Sequence, residues 1–106
     1  MSENVSFSET EGVIIASLPS EIDHHIAKGV REMIDGKLFL KKPELLVLDF
    51  SGVKFMDSSG IGLIIGRKEV AESLGCCIRI SGLSDRNRHL LRLSGIEKLG
   101  GVSIDK

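Results

Sequence analysis

The chain of 106 residues is long enough for one modest hydrophobic core, and we expect a single domain over residues 1–106. Hydrophobic residues make up 42% and charged residues 27%, which is the balance of a folded protein and excludes a disordered chain. A net charge of -1, with four Phe and neither Trp nor Tyr, argues against nucleic acid or an anionic membrane as a partner.

The sequence contains no apolar segment long enough to cross a bilayer, and residues 1–4 lack the basic start of a signal peptide. We therefore expect a cytoplasmic protein. A disulfide between the adjacent Cys76 and Cys77 would be strained, and their spacing matches no metal site. We predict that both cysteines are reduced and buried as small hydrophobic side chains.

The first twenty residues predict a β-hairpin. Val5 and Phe7 alternate with polar residues, and a β-rich apolar run at 13–16 follows a turn-like segment at 9–12. Pro19 ends the hairpin, because proline cannot donate to a strand ladder.

A helix and a buried strand come next. Asp23 is a good N-cap for this first helix. The apolar residues that recur at helical spacing are Ile26, Val30, Met33, Ile34 and Leu38. Beyond Pro43, the run Leu45–Leu48 is apolar at successive positions, as in a strand that is covered on its faces or central in a sheet, and it predicts the most buried strand.

The second half of the chain predicts two further helices. Residues 51–57 form a connector, and Ser58 begins a helix that runs to about Leu74 and ends at Gly75. A strand, a third helix and a short last strand follow at residues 76–80, 84–95 and 102–104. The order β-β-α-β-α-β-α-β predicts an α/β fold with a single mixed sheet of four to five strands flanked by helices.

The start of the second helix breaks a local rule. Gly60, Gly62 and Gly66 each cost up to ~1 kcal/mol relative to alanine inside a helix. Apolar residues also surround most of the first two turns, so this stretch is either buried or part of a contact surface, and the pattern favours burial. Places where local rules fail are candidates for function.

Signals of catalysis or cofactor binding are weak. The glycines at 60–66 depart from the dinucleotide fingerprint, because the third falls one position late and a connector separates them from the strand. His24 and His25 are adjacent and make a poor metal pair on a helix. We therefore expect no cofactor and no metal.

Two further patterns have ordinary interpretations. The third helix has a basic face, which is interpreted as solvated, with a docking surface for an acidic partner as the alternative; its residues are Arg86, Arg88, His89 and Arg92. A serine hydrolase that uses Ser58 or Ser59 stays an alternative of another class, but no base has an interpretable spacing.

The segment Asp57-Ser58-Ser59-Gly60 has two interpretations. Any of its first three residues can cap the second helix. Alternatively, a serine at a helix N-terminus is exposed, and a phosphate on it would meet free N–H groups and the positive end of the helix dipole.

The octapeptide Phe55–Gly62 resembles the signature of the bacterial anti-sigma factor antagonists, which are stand-alone STAS domains. The resemblance extends over roughly residues 5–104, with matching segments at 21–25, 45–49, 64–67 and 93–96. Ser20 departs from the family, which usually has glycine before the first of these segments.

The resemblance implies a STAS domain that is not an enzyme and works by partner switching. It implies that Ser58 is the phosphorylated serine and that the unphosphorylated form binds an anti-sigma factor serine kinase, which frees a sigma factor. A serine phosphatase reverses the modification. The residues implied in partner binding are Asp23, Asp57, Ser59, Gly60 and Ile61. We expect a monomer when free, with no direct nucleic-acid or membrane partner.

The alternative within the family is a STAS module of another pathway, such as a stress-signalling scaffold or a lipid-transport accessory.

Overall fold

A five-stranded mixed sheet with helices packed on one face forms the frame of the protein, as shown by a computed structural model that describes residues 5–105. The predicted domain 1–106 also includes residues 1–4 and 106, which lie outside the described residues. The strands are β1 Ser6–Thr10, β2 Val13–Ser17, β3 Glu21–Ile22, β4 Leu45–Asp49, β5 Phe55–Met56, β6 Cys77–Ser81 and β7 Val102–Ile104. The helices are α1 His24–Lys41, α2 Ser58–Ser73 and α3 Asp85–Ser94, and a 3₁₀ turn spans Ile96–Leu99.

The main sheet has the strand order β1-β2-β4-β6-β7. β1 and β2 form the predicted antiparallel hairpin, and the other neighbours are parallel. Gly12, at the hairpin turn, has φ +73°, a conformation that favours glycine. β3 and β5 form a second, two-stranded parallel sheet that the sequence did not predict, because two residues carry no periodicity.

The core lies on one face of the main sheet. The side chains that line this face in register are Ile14, Ala16, Leu46, Leu48, Ile78 and Ile80, and all are buried. Glu9 shares the face and pairs with Lys37 of α1, 2.6 Å away. On the opposite face Val47 is half-buried and Arg79 is exposed, so the helices cover one face only.

The strand Leu45–Asp49 is central in the sheet, as predicted. Leu46 and Leu48 are fully buried, but Leu45 and Val47 are half-buried, as in the neighbouring β2. Of the two predicted environments, the central position is confirmed. Coverage on both faces is not, because within residues 5–105 no helix lies over the second face, and the strand has the same pattern of burial as β2.

Most predicted helix boundaries are confirmed. Asp23 caps α1, Gly75 follows α2 with φ +74°, and Gly95 ends α3 with φ +76°. Within residues 5–105 no helix is both long and apolar enough to span a bilayer.

Two predictions of burial are wrong. Met33 is 37% exposed, because it lies beside the buried stripe of α1 rather than within it. Cys77 is exposed on the uncovered face of the sheet, whereas Cys76 is buried, and both are free thiols. Burial raises the pKa of the Cys76 thiol, which favours its neutral form.

A buried ion pair joins α1 to α2. The side chain of Arg67 is only 4% exposed, and its Nε lies 2.9 Å from Oδ1 of Asp35. The two atoms are not aligned for a hydrogen bond, and Nη1 of Arg67 has no partner among the described residues. Burial raises the pKa of Asp35 and lowers the pKa of Arg67, and the charge of each partner opposes the shift of the other.

Candidate functional site

The small sheet of β3 and β5 brings the starts of two helices together. Glu21 pairs with Phe55 and Ile22 with Met56, and the N–H of Asp57 donates to the carbonyl of Ile22 at 3.2 Å. One residue beyond each strand a helix begins, α1 after Asp23 and α2 after Asp57. The parallel register therefore places the two N-termini side by side, with their positive dipole ends together.

The loop before β3 does not need the glycine that the family usually has. The carbonyl of Ser20 accepts the N–H of Lys54 at 2.7 Å and that of Phe55 at 3.2 Å. Within the described chain, Lys42 is the one residue other than glycine with positive φ, so Ser20 has an ordinary backbone conformation.

Both helices are capped by aspartate. Oδ1 of Asp23 accepts the N–H of Ile26 at 2.8 Å, and Oδ1 of Asp57 accepts the N–H of Ser59 at 2.8 Å. Asp57 thus performs the capping role that the sequence left open among three residues. The hydroxyls of Ser58 and Ser59 are not used for capping.

Ser58 is exposed and is the first residue of α2. Its hydroxyl makes no hydrogen bond to any residue between 5 and 105. Ser59 is half-buried and turns toward α1. Of the two serines, Ser58 is the one whose hydroxyl another protein reaches more freely.

The glycines of α2 have different roles. A Cβ on Gly60 would lie 2.6 Å from Sδ of Met56, so the buried Gly60 is needed for packing. Gly60 is buried against Met56, and its role as a partner contact stays a prediction. A Cβ on the exposed Gly62 would meet nothing within 4 Å, so packing within the protein does not require glycine there. Ile61 is half-buried beside Ser58 and stays available for contact.

A groove of about 410 Å³ separates the first turns of α1 and α2. His24, His25, Lys28 and Arg31 line one wall, and Ser59, Gly62 and Leu63 line the other. The groove has no sequence signal of its own, because its two walls are brought together by the pairing of β3 with β5, and strands of two residues carry no periodicity. Within the described residues no hydrogen bond joins either imidazole to Ser59.

The basic face of α3 is only partly solvated. The guanidinium of Arg86 lies 5.3 Å from the ring centre of Phe55, and Nη2 of Arg88 donates to the carbonyl of Asp105 at 3.2 Å. Arg86, His89 and Arg92 are exposed, so the interpretation of a solvated face holds for most of these residues, while Arg88 is half-buried. Phe55 itself is 40% exposed and lies three residues before Ser58.

Comparisons with known proteins agree with this geometry. The family model described as the STAS domain matches residues 4–103. An anti-sigma F factor antagonist from Paenibacillus polymyxa is 31% identical over 99 residues, which cover 93% of this chain and 85% of that protein.

Two solved structures share the fold. The anti-sigma factor antagonist SpoIIAA in its unphosphorylated form gives a TM-score of 0.74 at 23% identity, covering 96% of this chain and 87% of its own. The Bacillus cell fate determinant SpoIIAA in its phosphorylated form gives a TM-score of 0.72 at 24% identity, covering 96% and 91%. At these identities the two structures establish the architecture.

The different roles of the two α2 glycines predict opposite effects on stability. Gly62→Ala should raise the free energy of unfolding by about 0.5–1 kcal/mol, because alanine is the better helix former and fits the open space. Gly60→Ala should lower it by about 1–3 kcal/mol, because the methyl group collides with Met56. Urea denaturation of the two variants measures both values, and a stabilised Gly60→Ala would contradict the packing role.

Proposed function

Because this chain belongs to the STAS domain family, we propose that it is an anti-sigma factor antagonist whose binding is switched off by phosphorylation of Ser58. The observation that carries this proposal is the hydroxyl of Ser58 at the start of α2, which is exposed and does not cap the helix. The names of the relatives support it. The P. polymyxa protein is an anti-sigma F factor antagonist, and SpoIIAA has been solved with and without its phosphate.

The proposed partner is an anti-sigma factor that is also a serine kinase. The unphosphorylated protein binds this kinase and releases the sigma factor that the kinase holds. The chain supplies the phosphoacceptor and no catalytic group of its own, and a separate serine phosphatase restores the active form. We place these events in the cytoplasm, with the free protein as a monomer.

The position of Ser58 explains how a phosphate can block binding without unfolding the protein. A phosphoserine carries about -1.5 to -2 charges at neutral pH. The free N–H groups and the dipole at the start of α2 stabilise that charge, so the fold tolerates it. In a partner interface, however, the phosphate would lose its water and lie next to the carboxylate of Asp57. The cost of desolvation and the repulsion between the two negative charges both oppose docking.

Variants at the two serines test the switch. With the cognate kinase and ATP, Ser58→Ala should take up no phosphate and still bind the kinase, because the hydroxyl is not part of the fold. Ser58→Asp should melt like the wild type but bind at least ~10-fold more weakly, because its charge meets Asp57 and the partner. Mass spectrometry of the modified protein and calorimetric titration against the kinase give both results.

Ser59→Ala is the matched control and should still be phosphorylated at residue 58. Stoichiometric phosphate on Ser59 in the Ser58→Ala variant would refute the assignment of the site. A Ser58→Asp protein that binds as tightly as the wild type would refute the mechanism. A chain that binds no anti-sigma kinase in any form would favour a STAS module of another pathway.

The role proposed for Asp23 in partner binding has to be separated from its role as a cap. Asp23→Ala removes both the charge and the cap, and the lost cap alone should lower stability by about 0.5–2 kcal/mol. Asp23→Asn keeps a good cap and removes only the charge. We expect Asp23→Asn to keep the wild-type melting temperature and to bind the kinase about 3- to 10-fold more weakly.

Arg88→Ala, on α3, should weaken kinase binding less than Asp23→Asn does, because Arg88 is half-buried and its guanidinium already donates to Asp105 within the protein. A larger loss at Arg88, measured in the same titration, would move the contact surface from the start of α1 to α3.

A further inference from the structure

The groove between α1 and α2 carries an excess of positive charge on one wall. His24, Lys28 and Arg31 are exposed and line it, and neither Lys28 nor Arg31 forms an ion pair within the described residues. Of the acidic residues of α1 and its cap, Asp23 caps the helix and Asp35 pairs with Arg67, while Glu32 is exposed. Within the described residues no carboxylate lies within ion-pair distance of Lys28 or Arg31, so this wall presents two cations that are accessible to another molecule.

The polar side chains of this wall form a stripe rather than a point. His24, Lys28 and Arg31 follow one another at helical spacings of four and three residues, so they lie on one side of α1. Seven residues of helix rise about 10 Å, which is the length of about three residues of extended chain. A single phosphate group would contact only part of this stripe.

The opposite wall leaves room for a chain to enter. Gly62 is exposed, and a Cβ there would meet nothing within 4 Å, although glycine weakens the helix. Leu63 adds an apolar surface to the groove, and the volume of about 410 Å³ is enough for several side chains. An exposed helix glycine that packing does not require is explained if its open space receives another molecule.

We propose that this groove receives an extended acidic segment of the partner kinase, whose carboxylates pair with Lys28 and Arg31 while its backbone passes over Gly62. The inference rests on the proposed function and names the chemistry of the partner at that same site. It also adds to the switch, because Ser59 lines the groove and Ser58 precedes it. A phosphate on Ser58 places negative charge at the mouth of the groove and repels the acidic segment.

Charge reversal with a matched control tests the proposal. The double variant Lys28→Glu/Arg31→Glu should fold normally, because both side chains are exposed, and should lose at least ~10-fold in affinity for the unphosphorylated interaction. The control Arg92→Glu/Lys98→Glu makes the same change of charge at exposed residues outside the groove and should change the affinity less than about twofold. Circular dichroism and melting curves check the fold of both.

A zero-length carbodiimide crosslinker identifies the contact directly. It joins an amine to a carboxylate, so in the complex with the kinase it should link Nζ of Lys28 to an Asp or Glu of the partner. Lys98, which is exposed and lies outside the groove, is the internal control for nonspecific linkage.

Three results decide the matter. If the groove variant and the control variant bind the kinase with equal affinity, the inference is overturned. If the groove variant still takes up phosphate at Ser58 in that case, the proposed function stays intact. Absence of a Lys28 crosslink in a complex that forms would also overturn it. The third result combines two observations. If inorganic phosphate alone shifts the imidazole NMR signals of His24 and His25 along a saturable binding curve, and the charge reversal leaves kinase affinity unchanged, the groove is a small-anion site instead.

Discussion

The short parallel pairing of β3 with β5 determines where the candidate functional surface lies. It joins Glu21–Ile22 to Phe55–Met56. A parallel pair sends both chains in the same direction, and each chain turns into a helix one residue later. Two aspartate caps and two positive dipole ends therefore meet at one place. Because Asp57 performs the capping, Ser58 is free to be modified. Without this pairing α1 and α2 would have no fixed relation at their starts, and neither the exposed serine nor the groove would exist.

The rest of α2 keeps this surface in place without closing it. Near the base, Gly60 allows the helix to approach Met56, and the buried Arg67 pairs with Asp35 to join α2 to α1. At the mouth, Gly62 leaves open space that packing does not require. The helix is therefore tightly packed where it meets the core and accessible at the proposed docking surface. Such a division suits a protein whose binding changes while its fold does not, since a phosphate at Ser58 alters charge at the surface and touches nothing in the core.

Much of this architecture can be read from the sequence, because the longer elements carry periodic patterns. The hairpin, the three helices, the Asp23 cap and the exposed helix start at Ser58 all follow from such patterns or from the family signature. The small sheet does not, since two-residue strands have no period. The separate roles of Gly60 and Gly62 depend on which atoms lie opposite each residue, and the sequence is silent about that. Burial of Arg67 and exposure of Met33 and Cys77 likewise depend on which faces the helices cover.

The central claim is that a phosphate on Ser58 abolishes partner binding through charge and leaves the structure unchanged. The most direct measurement compares stoichiometrically phosphorylated and unphosphorylated wild-type protein, with amide NMR spectra for the fold and calorimetric titration against the anti-sigma kinase for affinity. The account predicts shifts confined to residues around the starts of α1 and α2, together with a large loss of affinity. Equal affinity of the two forms, or shifts that extend through the main sheet, would contradict it.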